Sequence, residues 1–260
     1  MKRKIALFVM IMLLFAVSFA QAEMTGKQIV EKIRDRVTAK TQIMQVKMTI
    51  ADKRGDERVR TIFNRMKEYP EGGKSVISFV KPDDVKGTKF LIKENKTGDD
   101  DQFLYMPALK KVRRISSSQK SGSFMGSDFS YADMQSQDPE DGEHTNLGQE
   151  TLDGVTVYKV QSIPKDGSDA EYSKVIYWVR ADDFIPVKGE FYDKRGDLLK
   201  VLTVTKIEKD ATGRMIPKDT LMKNVQKGSS TRLEVLQQKS DAPIADDFFT
   251  ERFLTDETKL

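Results

Sequence analysis

The chain holds one histidine, His144, and no cysteine. A lone imidazole without thiolates cannot build the usual zinc sets, which take three or four His, Cys or carboxylate ligands. A Ser-His-Asp arrangement would need His144 beside an activated serine. Ser123, Ser127 and Ser130 lie upstream of it, but none stands in a Gly-x-Ser-x-Gly elbow. His144 itself sits in DGEHTN and reads as a surface residue of a polar, acidic loop over 139–144. Asp99, Asp100 and Asp101 lack the spaced ligands and closing Glu of a calcium loop, and read as a solvated hairpin tip. No GxGxxG or Walker pattern occurs, which leaves nucleotide binding without support. The reading is therefore no catalytic residue, no metal and no cofactor, with a serine hydrolase built on Ser127 and His144 kept as an alternative.

What stands out instead is apolar. SGSFMGSDFSYADM, residues 121–134, puts Phe124, Met125, Phe129, Tyr131 and Met134 among glycines, serines and two aspartates. It has neither strand alternation nor sustained helical spacing. Methionines are frequent beyond the first 22 residues (Met44, Met48, Met66, Met106, Met215 and Met222 among them). Flexible, polarisable Met suits surfaces that accept varied apolar shapes, although core packing uses it too. LKKVRRI, 109–115, reads either as a docking patch for anionic lipid or an acidic partner, or as a strand with a charged outer face.

The elements that must position these residues are mostly strands. One helix is expected over 26–39: Thr25 is the N-cap, and Ile29, Val30, Ile33 and Val37 make one apolar face to lie on a sheet. MQVKMTI alternates, with Met44, Val46, Met48 and Ile50 on one side. A partner strand follows through Val59, Thr61 and Phe63. DKRGD joins the two at 52–56 and recurs at 193–197, which reads as one hairpin chemistry reached twice, with Gly at positive φ. Further strands are expected over 75–80, 89–93, 102–106, 112–115, 148–151, 155–163, 174–180, 187–192, 198–208, 215–224 and 230–239. The segment 244–254 should pin Phe248, Phe249, Phe253 and Leu254 against the body. Such a meander suits a barrel or one large curved sheet, whose concave apolar side is either filled or open to a ligand.

Residues 1–22 read as a signal peptide: a basic head (Lys2, Arg3, Lys4), an apolar run to Phe19, then Ala20-Gln21-Ala22 for cleavage after Ala22. Its removal takes three cations and no acid from the 44 Lys plus Arg and 40 Asp plus Glu, leaving a net charge of about +1. Nucleic-acid binding then has no electrostatic motive. Without cysteine, an exported chain must gain its stability from burial alone. No linker separates domains, so residues 23–260 read as one.

Residues 103–134, FLYMPALKKVRRISSSQKSGSFMGSDFSYADM, resemble the signature of the outer-membrane lipoprotein-sorting proteins related to the carrier LolA. GTKFLIKEN before it and YWVRADDFIPVKGEFYDKRGDLLK after it extend the likeness. The resemblance implies a mainly β fold: a half-open, strongly curved antiparallel barrel with an N-terminal helix and short helical lid elements. It implies a periplasmic carrier that shields the acyl chains of a lipoprotein or lipid and delivers them toward the outer membrane. Its partners would be those acyl chains, an ABC- or RND-type inner-membrane transporter, and an outer-membrane acceptor. A partner-binding or sensor module of an RND-type lipid exporter is the alternative. The cavity and lid are assigned to Met44, Val46, Met48, Ile50, Phe63, Phe124, Met125, Phe129, Tyr131, Met134 and Trp178. Arg60 and Arg65 are candidates for the arginine that family members use near the opening. Gly122 and Gly126 would be hinges, with Asp128 and Asp133 on the wet outer side or capping helical turns. The segment 121–134 would be a moving lid or a static plug.

Overall fold

The computed structural model describes residues 23–36, 39–95, 100–135 and 138–259. The expected signal peptide, Val37 and Asp99 lie outside them. Thirteen strands form one antiparallel sheet: β1 (Thr41–Ala51), β2 (Glu57–Lys67), β3 (Lys74–Lys81), β4 (Lys89–Lys93), β5 (Asp101–Met106), β6 (Lys111–Arg114), β7 (Gly142–Leu152), β8 (Val155–Pro164), β9 (Lys174–Arg180), β10 (Pro186–Tyr192), β11 (Leu198–Lys209), β12 (Met215–Asn224) and β13 (Ser229–Ser240). Their spatial order is β6-β5-β4-β3-β2-β1-β13-β12-β11-β10-β9-β8-β7. Every neighbour is a sequence neighbour except β1 with β13. The chain runs outward from the centre to one edge at β6, crosses to the other edge at β7, and returns.

That order fixes where the odd segment must lie. The sheet is curved and unclosed, so β6 and β7 are its free edges, and residues 115–141 join them. A connection between the two edges of a half-open barrel has to cross the open side. Both edges are protected as exposed edges usually are. β6 carries Lys111, Arg113 and Arg114, and β7 is bulged between Asn146 and Gln149 around Gly148 at φ 104°.

Helix α1 (Gly26–Arg34) covers part of the same side, resting on β7 and β8 with Ile29 and Val30 buried. Thr25 and Gln28 form a reciprocal capping box at its start. α1 ends earlier than expected. Asp35 caps it, and Arg36 donates to the backbone oxygens of Asp183 (2.9 Å) and Met215 (3.0 Å), which ties the chain to the sheet. Gly26 is needed for close approach, because a Cβ there would sit 2.4 Å from the His144 carbonyl.

The two DKRGD hairpins adopt one geometry. Asp52 and Asp193 each accept backbone N–H groups two and four residues on, and Gly55 and Gly196 take φ of 87° and 85°. DATGR, 210–214, repeats it with Gly213 at 85°. A third occurrence on an unlike sequence favours local turn chemistry over duplication.

Alternation along each strand divides the apolar residues between two faces. The concave face gathers Val46, Met48, Ile50, Ile62, Ile77, Phe79, Phe90, Leu104 and Met222 with Ile29 and Val30 of α1. The convex face carries Val76, Leu91 and Tyr105 under the C-terminal segment, where Phe249, Phe253 and Leu254 of helix α2 (Glu251–Thr255) and the turn before it are buried as expected. Lys89, fully buried there, donates to the carbonyls of Phe253 (3.0 Å) and Asp256.

Candidate functional site: the bowl and the segment that crosses it

Residues 121–134 lie over the concave face with their large side chains turned into it. Phe124 is wholly buried, and Phe129 and Tyr131 nearly so, while Met125 and Met134 pack at the margin. The Phe124 ring stands 6.0 Å from Phe79, 5.1 Å from Phe90 and 5.7 Å from Tyr131, the last edge-on. Tyr131 also meets Phe90 at 5.5 Å. Offset and edge-to-face pairs of this kind each add about 0.5–1.5 kcal/mol beyond the area they bury. The greasy residues of an apparent loop are thus the inner face of a cover.

The polar residues of the segment hold it down. Arg60 of β2 donates to the Met125 carbonyl and lies over the Phe79 ring at 5.8 Å, and Arg58, two residues earlier on the same face, reaches the Gly126 carbonyl at 3.5 Å. Those carbonyls are aimed by consecutive left-handed residues, Met125 at φ 51° and Gly126 at φ 73°. For methionine that conformation costs about 1–2 kcal/mol. Gln102, fully buried, donates to the Tyr131 carbonyl at 2.8 Å. Burial holds the Arg60 guanidinium below its ordinary range, and the Arg58 charge adds to the effect.

Asp128 and Asp133 do not take the wet outer side, whereas the capping expected as the other option is met at Asp133, which pairs reciprocally with Ser130 at the turn over 132–134. Neither faces water. Asp128 accepts from the hydroxyls of Ser229 and Thr231 (2.8 Å) on β13, and its own N–H donates to Thr231 at 2.9 Å. Asp133 accepts from Tyr172 (2.7 Å) and the Lys200 ammonium (3.2 Å), while exchanging bonds with Ser130. Glu171 is the second acid on Lys200, at 3.1 Å. Burial raises the Glu171 carboxyl above its ordinary range, and raises the Tyr172 phenol far above its own. Both aspartates serve as anchors, Asp128 to β13 and Asp133 to Lys200 of β11 and to Tyr172 just before β9. Gly126 takes the left-handed form a turn needs, whereas Gly122 has no positive φ and instead allows a close approach to the Gln119 carbonyl, 3.0 Å from where a Cβ would stand.

Of the residues assigned from sequence, Met44, Val46, Met48, Ile50, Phe124, Met125, Phe129, Tyr131 and Met134 meet in the bowl. Phe63 and Trp178 do not. In β2 the inward residues are Arg60 and Ile62, opposite Met48 and Val46, so Phe63 is one step out of phase and shares the convex face with Arg65. Trp178 follows the inward Tyr177 and packs outside with Val157 and Ile176, its ring under the ammonium groups of Lys188 (4.0 Å) and Lys159 (4.9 Å). β9 is apolar on both faces, and β2 carries arginines inward with Val59, Thr61 and Phe63 outward, so alternation alone misplaced both residues. Between the two arginine candidates, Arg60 is at the opening, and Arg65 lies over the rings of Phe63 (5.7 Å) and Phe248 (4.6 Å) outside. Sequence reading missed Gln102, Lys200 and Thr231. They are polar residues at inward strand positions, which is the signal that could have found them.

His144 lies on β7, not in a loop. Its ring nitrogens meet the Ser162 hydroxyl at 2.8 Å and the Pro139 carbonyl at 3.1 Å, and burial lowers its basicity. Ser127 donates to the Phe124 carbonyl at 2.7 Å. Ser127 and His144, the pair of the hydrolase alternative, thus each bond to other partners. Arg113 and Arg114 decorate the β6 edge, with Arg114 paired to Asp101.

In this state the crossing segment fills the bowl. Two clefts, of about 440 and 680 Å³, lie at the opposite end of the sheet and are lined by groups such as Lys209, Asp210, Lys218, Lys40 and Arg214.

Comparison with known proteins agrees with this geometry. A family model whose description reads "uncharacterized protein" matches residues 71–256. Among solved structures, a domain from Vibrio parahaemolyticus described as an outer membrane lipoprotein-sorting protein is 33% identical, with a TM-score of 0.82 over 88% of this chain and 98% of its own. A DUF1329 family protein from Desulfovibrio piger is 29% identical, with a TM-score of 0.83 over 88% and 97%. A LolA superfamily protein from Nitrosomonas europaea shares the fold at 23% identity, with a TM-score of 0.69 over 89% and 100%. Among curated proteins none matches. The chain belongs to the same family as that outer membrane lipoprotein-sorting protein domain, and it shares its fold with the LolA superfamily protein.

Proposed function

We propose that the protein is a periplasmic carrier that takes acyl chains of a lipoprotein or lipid into the bowl beneath a movable lid, residues 121–134, and passes them on without covalent chemistry. The observation that supports it most is the construction of the cover. Its apolar side chains occupy the concave face, yet its backbone is fastened by hydrogen bonds donated by the side chains of Arg58, Arg60 and Gln102 and by one its Asp128 N–H donates to Thr231, rather than by strand pairing along its length.

The energetics suit reversible transfer. Each buried methylene contributes about 0.8 kcal/mol, so an empty open bowl would hold an acyl chain too tightly to release it. A lid that occupies the bowl in the empty state makes affinity a difference between two burials. Full burial of one Phe side chain is worth about 1.5–3 kcal/mol, so giving up two or three lid side chains offsets about 3–9 kcal/mol of the acyl chain's burial. Donor and acceptor are an inner-membrane transporter and an outer-membrane acceptor in this reading, with export directed by residues 1–22.

The test is mass spectrometry of the protein purified from its native envelope without detergent stripping. A carrier arrives with stoichiometric acyl-bearing molecules that the Phe129→Asp variant lacks. Protein free of lipid in both forms contradicts the reading.

A further inference from the structure

Most arginines near acids on this protein are paired with them. Arg34, Arg54, Arg114, Arg180, Arg195 and Arg232 each meet an aspartate at 3.5 Å or less. Arg58 and Arg60 are different. They stand two residues apart on the inward face of β2, so their Cα atoms are about 7 Å apart. Among the described residues neither forms an ion pair with a carboxylate. Asp84 acts on Arg60 only at longer range. Both guanidinium groups end instead on neutral carbonyls of the crossing segment, those of Gly126 and Met125. Arg60 is nearly buried there, at 7% exposure. A carbonyl carries part of the charge a carboxylate or phosphate carries, and bonds between ionised partners are roughly twice as strong as neutral ones. Two adjacent cations are thus held by two neutral acceptors at the margin of an apolar bowl.

We infer that the cargo is an anionic amphiphile: a carboxylate or phosphate group on an acyl chain, whose head replaces the Met125 and Gly126 carbonyls on Arg60 and Arg58 as the tail enters the bowl. This rests on the carrier reading above and adds the head group to it. The geometry supplies the coupling. Lifting the lid removes both carbonyl acceptors at once: the exposed Arg58 turns to water, while the nearly buried Arg60 is left without its partner beside the entrance. A neutral amphiphile leaves Arg60 stranded, while an acidic head satisfies both cations. The left-handed strain at Met125 is released in the same step.

The experiment compares two probes with one tail, oleate and oleyl alcohol, against the delipidated chain at pH 8 below their aggregation concentrations, by native mass spectrometry or calorimetry. Inorganic phosphate serves as a third arm. The ratio of the two lipid affinities is the readout, because lid opening enters both and cancels. Oleate is expected to bind at least tenfold more tightly than oleyl alcohol. The Arg58→Gln/Arg60→Gln double variant should bring the ratio to within about twofold while still binding oleyl alcohol, and Arg58→Lys/Arg60→Lys should keep most of the preference. Equal affinities in the parent chain, or a preference that survives in the glutamine variant, overturn the head-group assignment and leave the carrier reading standing. Binding of neither lipid overturns the carrier reading and this inference together. Inorganic phosphate binding as tightly as oleate overturns the claim that the anion is carried on a tail.

Discussion

Phe124→Ala separates a moving lid from a fixed plug. Phe124 is fully buried and touches the rings of Phe79, Phe90 and Tyr131. Truncating a buried Phe costs about 3–5 kcal/mol, through lost transfer energy and the cavity left behind. If the segment is a fixed part of the core, that whole sum is lost from the stability of the protein. If it is a lid, the truncation weakens only the closed form, and the loss of global stability stops where the open form becomes the ground state. The remainder appears as easier opening. Apparent affinity for an acyl probe rises in proportion to the open fraction, tenfold for each 1.4 kcal/mol removed from closure. The expected outcome is a stability loss well below 3 kcal/mol in urea, at least tenfold tighter binding of a fluorescent fatty acid, and faster amide exchange confined to 121–134 while β1 and β13 stay protected. A full loss of about 3–5 kcal/mol, with lid and sheet exchanging together and affinity unchanged, would refute the lid.

Phe129→Asp places a carboxylate where a 5%-exposed ring now lies over the bowl, and is expected to weaken acyl binding at least tenfold with the far-ultraviolet spectrum unchanged; unaltered binding by the folded variant counts against the site. Glu171→Gln tests the buried cluster on Lys200. The folded-state pKa of Glu171 is raised chiefly by burial, so its neutral form is the stabilising one, and that contribution is present below the ordinary glutamate range near 4.5 and lost as pH rises through the raised value. The variant, which never ionises, should therefore gain stability relative to the parent on going from pH 4.5 to pH 8; a difference that is flat or of opposite slope across that range contradicts the assignment. Gly26→Ala sets a helix-propensity gain of about 1 kcal/mol against a Cβ placed 2.4 Å from the His144 backbone. Forcing that contact costs about 1–3 kcal/mol, so denaturant titration should show net destabilisation, and a stabilised variant would contradict the docking of α1 on β7.

The strands were legible because most of them alternate or end at Gly- and Asp-containing turns. All thirteen lie where period two and turn chemistry place them, although β7 begins six residues earlier than expected and takes in His144. Its exposure does alternate, but the inward positions at its start, His144 and Asn146, are polar, so it reads as a loop. The cover was legible in part. Five large apolar residues in a turn-rich stretch require burial somewhere, and the path between two sheet edges decides where. Which way Asp128 and Asp133 point was not legible, since a carboxylate in a loop ordinarily faces water and only the tertiary placement of Ser229, Thr231 and Lys200 reverses that. Phe63 and Trp178 failed for a related reason: strand phase is ambiguous where the outer face is also covered, for Phe63 by Arg65 beneath Phe248 and for Trp178 by its own apolar cluster under Lys159 and Lys188.

The absence of cysteine from the chain makes one measurement unusually direct. Asp128 on the crossing segment and Thr231 on β13 are already in side-chain contact, so a Asp128→Cys/Thr231→Cys pair lies within reach of a disulfide that fastens the cover to the sheet. Binding of a fluorescent fatty acid is then read on one sample before and after reduction. The account requires that the oxidised protein bind at least a hundredfold less tightly than the reduced one. Equal binding in both states would show that acyl chains do not enter beneath residues 121–134, and the carrier site would have to be sought elsewhere.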